Sequence, residues 1–277
     1  MKYFDAHAHY LDRRFNKDRH ELLQHMHKNG IEFIVNSTNS RDLEKGLQLA
    51  KQYKFIYLSI LDDGYYKDDV DIDKEEVLID ELLKETVVRL KKLRAQNKKI
   101  VAMGEFGVDF RRVKPTAKEA RTQAFWFKKD LEASRRLGLP VVIHSGNACE
   151  LVFKLLKEAD MPDYGGGCGM IHCYLGSPKM ACDYIKMGYK ISVTGLVTHM
   201  SPRGRNLAEV VKQIPLGNMI IETDCPYLTP EPFRTQRNNS GLLRLTVEKI
   251  AEIKKTSPKE VARVTLRNSK ALFGIDR

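Results

Sequence analysis

The chain has 277 residues, of which 42% are hydrophobic, a length that suits one α/β barrel of about 250 residues. No apolar run approaches the roughly 20 residues of a membrane span, which argues against a membrane protein. The N-terminus lacks a signal-peptide core, which argues against a secreted precursor. The five cysteines contain no CxxC pair, and a disulfide scaffold is not expected. A net charge of +11 suits a polyanionic partner such as nucleic acid, although a lysine-rich solvated surface is the simpler interpretation on charge alone.

Strand and helix patterns alternate along the whole chain. After a first strand that ends in His7 and His9, the predicted strands are 31–35, 55–60, 100–103, 140–144, 170–172, 189–193 and 218–222. The predicted helices are 16–29, 41–53, one that ends near Asn97, 117–137, 148–158, 177–187 and 201–214, followed by two that begin near Ser240 and Ser257. This alternation predicts parallel strands that close as a (β/α)8 TIM barrel, one domain over residues 1–277. An open doubly wound sheet is the alternative, but no glycine-rich phosphate turn follows the first strand.

Ionisable side chains lie at the ends of five predicted strands. His7 and His9 share one face of the first strand because they are two residues apart. The remaining four, one for each of strands four, five, six and eight, are Glu105, His144, His172 and Asp224. In a TIM barrel all six would lie at the C-terminal face of the strands, where active sites sit.

This set predicts a metal site at the mouth of the barrel. A lone histidine is more often a packed core residue, but burying six ionisable groups together without a cation would be costly. One ion would be held by His7, His9, Glu105 and Asp224, and a second by Glu105, His144 and His172. One or two divalent ions are expected, and mixed nitrogen and oxygen ligands suit Zn, Mn, Fe, Co or Ni better than Mg. Glu105 and Asp224 are the candidate catalytic residues, with Asp224 acting as ligand, proton acceptor or both.

The same residues occur in longer motifs. These are FDAHAH at 4–9, GEFGVDF at 104–110, LPVVIH at 139–144, IHCY at 171–174, IETDCPYL at 221–228 and the stretch 268–275. With these motifs the chain resembles the TatD-type metal-dependent hydrolases of the amidohydrolase superfamily over nearly its whole length. The resemblance implies a TIM barrel, the same six metal ligands, and metal-dependent DNase or phosphodiesterase activity, often 3′→5′ exonucleolytic.

Three departures from that family lie around the metal ligands. Residues 59–64 read SILDDG where the family has a Gly-x-His-Pro-His motif, Gly146 replaces an arginine, and residues 237–240 read RNNS in place of Arg-Asn-Glu-Pro. Positive charge for a phosphate could come instead from loops that follow strands four, seven and eight: Arg111, Arg112, Lys114, Arg203, Arg205, Arg234 and Arg237. The tyrosines that could stack on a base are Tyr65, Tyr66 and, best placed, Tyr227.

The resulting hypothesis is a monomeric, cytoplasmic phosphodiesterase that uses metal ions and acts on nucleic acid. The altered region after strand three motivates an alternative, an amide or ester hydrolase of the amidohydrolase or aminoacyl-tRNA deacylase type. A third hypothesis is a non-catalytic nucleic-acid-binding barrel with structural metals, which only the basic charge supports.

Overall fold

The structure, a computed structural model, describes residues 1–62, 72, 75–111 and 114–275. In this part of the chain, eight parallel strands form one sheet, and each strand pairs with its neighbour in sequence. The strands are β1 (Tyr3–Ala8), β2 (Ile31–Asn39), β3 (Ile56–Leu61), β4 (Ile100–Asp109), β5 (Val141–Gly146), β6 (Gly169–Ile171), β7 (Tyr189–Val193) and β8 (Met219–Ile221). The predicted (β/α)8 barrel is confirmed.

Helices alternate with these strands and cover the outside of the sheet. They are α1 (Arg19–Lys28), α2 (Leu43–Gln52), α3 (Glu76–Gln96), α4 (Ala117–Leu137), α5 (Cys149–Ala159), α6 (Pro178–Lys186), α7 (Pro202–Gln213), α8 (Leu243–Lys254) and α9 (Pro258–Phe273). Helix α4 has strong local signals at both ends: Thr116 and Glu119 form a capping box, and Gly138 ends the helix with a φ of 64°. Among the described helices, none is long and apolar enough to cross a membrane.

The barrel closes between β1 and the segment that follows β8. Ala8 pairs with Cys225 in a parallel bridge, and the N–H of His9 donates to the carbonyl of Cys225 at 2.9 Å. The N–H of Asp224 donates to the carbonyl of His7 at 3.0 Å. The closure therefore lies at the C-terminal mouth, directly beside three of the predicted ligands.

The N-terminal end of the barrel is filled with apolar side chains. Phe4, Val35 and Val142 are buried in a cluster that also contains Phe273 at the end of α9. The rings of Phe4 and Phe273 stack with their centroids 5.8 Å apart. Fully burying a side chain of this size stabilises the fold by about 1.5–3 kcal/mol. Because this end is packed, the ionisable residues are left to the opposite end.

Glu105 and His144 lie inside their strands, and the expectation that they close them was wrong. Strand β4 continues to Asp109, which pairs with Gly146 at the end of β5. His172 comes directly after β6, which ends at Ile171. Four further residues of β4 therefore stand above Glu105, and they form part of the wall around the mouth.

A bulge in β4 explains how a residue inside a strand reaches the mouth. Met103 pairs with Val141, and Phe106 pairs with Ile143, so β4 has one extra residue in this interval. Such a bulge re-aims the side chains next to it, and bulges are frequent beside active sites. Gly104 within it has a φ of 113°, a backbone conformation that favours glycine.

Candidate metal centre

Four of the predicted ligands meet where β1 approaches the segment after β8. Nε2 of His7 lies 3.0 Å from Nε2 of His9 and 3.1 Å from Oε2 of Glu105. Nε2 of His9 lies 3.0 Å from Oδ1 of Asp224. Two imidazole nitrogens and two carboxylate oxygens thus surround one point, which is a donor set typical of divalent metal sites.

The other two predicted ligands face the second oxygen of Glu105. Oε1 of Glu105 lies 2.9 Å from Nδ1 of His144 and 3.5 Å from Nε2 of His172. Nε2 of His172 is also 3.9 Å from Oδ1 of Asp224. Glu105 therefore stands between two groups of histidines and directs one oxygen to each, which is the arrangement of a bridging carboxylate.

The chemistry of these contacts fits a cation. Within the described residues, the buried Nδ1 of His144 has no hydrogen-bond partner, although Oε1 of Glu105 is 2.9 Å away. The lone pairs of this nitrogen and this oxygen face the same space. They repel each other, and a positive ion between them would be bound by both. Burial alone would lower the pKa of His172, but the charges of Glu222 and Glu105 outweigh it and raise that pKa to about 10. The carboxylates therefore attract positive charge into the centre.

Glu222 orients His172 and was not among the predicted site residues. Its Oε2 lies 3.0 Å from Nδ1 of His172, and its Oε1 accepts the N–H of Cys173 at 2.6 Å. The side chain is fully buried. A carboxylate behind a histidine holds the ring so that the other nitrogen faces the metal. The acidic side chain next to a buried strand end was the available signal for this residue.

Asp5 holds β1 against the segment after β8 and was also missed. Its Oδ1 accepts the N–H of Thr223 at 2.9 Å, and its Oδ2 accepts the hydroxyls of Thr223 and Ser240, each at 2.6 Å. Asp5 is fully buried. These bonds fix the backbone between His7 and Asp224, so Asp5 acts on the geometry of the centre from behind.

Asp109 stands behind His144 as Glu222 stands behind His172. Its Oδ2 lies 3.3 Å from Nε2 of His144, and Arg111 binds both carboxylate oxygens. Burial would raise the pKa of Asp109, but the Arg111 guanidinium outweighs it and holds that pKa at about 2. A Cβ on Gly146 would lie 2.2 Å from Oδ1 of Asp109 and 2.9 Å from Nε of Arg111. Glycine at this position therefore makes room for the pair, and Arg111 stands beside the place where the family has an arginine.

We expect Asp109→Asn to weaken metal binding at His144. The amide keeps the shape but loses the charge that orients the ring, and changes of this kind lower metal affinity by about 10–100-fold. Titration of the metal-free protein with Mn²⁺ or Zn²⁺ measures the effect. Asp183→Asn, which removes a surface ion pair with Lys186, is the control. Equal affinity for both variants would show that Asp109 does not position His144.

Three of the predicted substrate contacts lie together at the rim. Tyr227 is 48% exposed, and its ring centroid is 6.2 Å from that of His9. Arg203 and Arg234 line a cavity of about 600 Å³ together with Tyr227. Arg14, which sequence reasoning missed, places its guanidinium carbon 4.2 Å from the centre of the Tyr227 ring. Arg14 lies in a short 3-10 helix, Arg13–Phe15, and the sequence there has no pattern that would have marked it.

The other predicted contacts are placed differently. Arg205 donates to the carbonyl of Met200, and Arg237 forms an ion pair with Asp18 at 2.5 Å. Lys114 is exposed in the loop before α4. Three predicted contacts lie outside the described residues, namely Tyr65, Tyr66 and Arg112.

Comparison with known proteins gives consistent matches over the whole chain. A family model described as TatD related DNase matches residues 4–274. The Bacillus subtilis protein YabD, described as an uncharacterized metal-dependent hydrolase, is 33% identical over 274 residues, which cover 99% of each chain. Human deoxyribonuclease TATDN3 is 28% identical over 271 residues, 97% of this chain and 93% of the human protein. The crystal structure of YjjV, a TatD homologue from Escherichia coli, has a TM-score of 0.80 and 26% identity, and covers 99% of this chain and 98% of that one.

Proposed function

The chain belongs to the TatD-related DNase family of metal-dependent hydrolases, and we propose on that premise that it hydrolyses phosphodiester bonds in DNA. The membership confirms the resemblance that the motifs indicated. The observation that carries the proposal is the position of Glu105, whose two oxygens face two separate groups of histidines. The human relative that matches nearly the whole chain is named a deoxyribonuclease, which supports DNA as the substrate.

The ligands in this proposal are the six side chains that converge at the mouth. His7, His9, Glu105 and Asp224 would hold one divalent ion, and Glu105, His144 and His172 would hold the other. When bound, the ions supply Lewis acidity toward a phosphate oxygen and lower the pKa of a water molecule. Glu222 and Asp109 keep the rings of His172 and His144 turned toward the centre.

Asp224 accepts the proton of the attacking water in this proposal. Burial would raise the pKa of Asp224, but its hydrogen bond with His9 and the charge of His172 hold it below the ordinary value. The carboxylate is thus ionised at neutral pH and able to accept a proton. The N–H of Asp224 is bonded to His7, and its carbonyl accepts the N–H of Tyr227 at 3.0 Å, so the backbone holds the side chain in place. As the water oxygen bonds to phosphorus, the bond between phosphorus and the leaving ester oxygen breaks, and Asp224 passes the proton to that oxygen.

A phosphodiester is favoured over an amide or carboxylic ester by the surroundings of the centre. Arg203 and Arg234 line the cavity next to Tyr227, and guanidinium groups bind phosphate oxygens well. The alternative rests on the missing histidine motif after β3. Asp62 in that segment is buried and forms an ion pair with Arg89 at 2.5 Å, while Asp63 and Gly64 lie outside the described residues.

Metal removal provides the direct test. We expect the protein treated with a chelator to lose hydrolysis of a labelled single-stranded oligonucleotide, and Mn²⁺, Zn²⁺, Co²⁺, Ni²⁺ or Mg²⁺ to restore it, because in this proposal the ions supply the Lewis acidity and the activated water. The same preparations are assayed on a panel of carboxylic esters and amides. Faster turnover of an ester or amide would favour the alternative hydrolase. DNA binding without cleavage under every metal would favour a non-catalytic barrel.

A further inference from the structure

Two cavities at the mouth share one wall. The first, of about 390 Å³, borders the proposed metal centre, because His9 and Glu105 line it together with Tyr227. The second, of about 600 Å³, is also lined by Tyr227. The Tyr227 ring, 6.2 Å from that of His9 between centroids, therefore connects the surroundings of the centre with the second cavity.

The second cavity combines an apolar wall with positive charge. Leu196, Pro226 and Leu228 contribute apolar surface, and Arg203 and Arg234 contribute the charge. No acidic side chain lines it in the described part of the chain. This combination suits a nucleotide. The faces of its base and sugar are largely apolar and suit the apolar wall, and its phosphate is anionic and suits the arginines.

The charge in the cavity is available to a ligand. The contact of Arg234 with Glu231 is long, at 3.9 Å, and both side chains are more than 40% exposed. Exposed pairs of this kind contribute little, so a phosphate can replace the carboxylate at small cost. Arg203 follows Ser201, which caps α7 by accepting the N–H of Gly204 at 3.2 Å. The start of this helix adds a weak positive field to that of the arginine.

The tyrosine between the cavities is held in a defined orientation. Arg14 lies against the Tyr227 ring, 4.2 Å from its centre, and Asp12 holds Arg14 through an ion pair at 2.8 Å. A ring that is braced in this way loses little side-chain freedom when a base stacks on its exposed part. Tyr227 is 48% exposed, which leaves surface for such a contact.

We propose that the cavity beside Tyr227 binds the nucleotide adjacent to the scissile phosphate, with its phosphate at Arg203 and Arg234 and its base or sugar against Tyr227. This inference rests on the proposed function and makes it more specific: the substrate is a DNA strand that continues past the cleaved bond. A diester without a neighbouring nucleotide fills only the first cavity. The enzyme therefore selects oligonucleotides over minimal phosphodiesters.

The test compares two substrates on the metal-loaded enzyme. A single-stranded oligonucleotide reaches both cavities, and bis(p-nitrophenyl) phosphate reaches only the first. In the double variant Arg203→Ala/Arg234→Ala we expect the ratio of kcat/KM for the oligonucleotide to that for the small diester to fall by about 10–100-fold, because charge-assisted contacts to phosphate are lost. The salt dependence of oligonucleotide KM should become shallower by about 0.7 in log–log slope for each lost phosphate contact.

A matched control removes the same charge from the far end of the barrel. Lys91→Ala/Lys98→Ala changes a cavity that lies below the N-terminal end of β4, and it should keep the wild-type ratio. The inference would be overturned if kcat/KM fell equally for both substrates in the arginine variant. It would also be overturned if the ratio of the two kcat/KM values fell as much in the lysine control. If the wild type cleaves neither substrate, the proposed function fails. Binding of the labelled oligonucleotide, measured by fluorescence anisotropy, then decides: weaker binding by the arginine variant supports the subsite, and equal binding rejects it.

Discussion

Glu105→Gln removes both metal binding and hydrolysis: we expect kcat/KM to fall by at least about 1,000-fold. The amide has nearly the same volume, but it is neutral and has one oxygen in place of two. In the structure one carboxylate oxygen faces His7 and the other faces His144, so the amide NH₂ must face one of these histidines. Elemental analysis of the purified variant should show the loss of bound metal alongside the loss of activity on a single-stranded oligonucleotide.

The matched control is Glu132→Gln on α4. Glu132 pairs with Arg136 on the outer surface, and its replacement should leave metal content and kcat/KM at the wild-type level. A Glu105→Gln protein with full metal content and unchanged turnover would remove the bridging carboxylate from the mechanism. Full metal content with lost turnover would mean that Glu105 acts on the substrate and not on the ions.

Asp5→Ala should lower the free energy of unfolding by about 3–5 kcal/mol. The change removes the acceptor of four buried donors, namely the N–H groups of His7 and Thr223 and the hydroxyls of Thr223 and Ser240. Each unsatisfied buried group costs about 1–3 kcal/mol, and rotation of the hydroxyls recovers part of this. Urea unfolding of the metal-free protein measures the effect without a contribution from metal binding.

Asp183→Ala serves as the control for stability, because Asp183 pairs with Lys186 on the surface. Its effect should stay within about 0.5 kcal/mol. If the two variants unfold at the same urea concentration, Asp5 does not hold β1 to the segment after β8. We further expect Asp5→Ala to bind metal more weakly than wild type, since His7 and Asp224 flank the backbone that Asp5 fixes.

The bounds of a helix or strand could be predicted from the sequence where the element has strong local signals at its ends. The predicted helix 117–137 has the bounds of α4, because apolar residues recur at helical spacing and Gly138 provides the stop. The predicted strand 189–193 coincides with β7 for a similar reason, since it follows the left-handed Gly188. Histidines at strand ends also identified the barrel mouth, because the ends of parallel strands meet at one face.

Contacts between distant residues could not be predicted from local patterns. The ion pair of Arg237 is an example, because its partner Asp18 is 219 residues away in the sequence. Glu222 and Asp109 stand behind histidines on other strands, and nothing in their own neighbourhoods indicates those partners. The true length of β4 depends on pairing with β5 through Asp109 and Gly146, which only the assembled sheet defines.

The closure of the barrel between β1 and the segment after β8 also determines when the proposed metal centre can form. Nε2 of His9 lies 3.0 Å from Oδ1 of Asp224, although the two residues are separated by 215 positions along the chain. Chains emerge from the ribosome N-terminus first, so His7 and His9 are made at the outset, while their partner Asp224 appears after most of the protein. Until the segment after β8 has docked against β1, the six proposed ligands are not all in place. The growing polypeptide therefore lacks the proposed centre during translation, and a chain cut short before Asp224 never completes it.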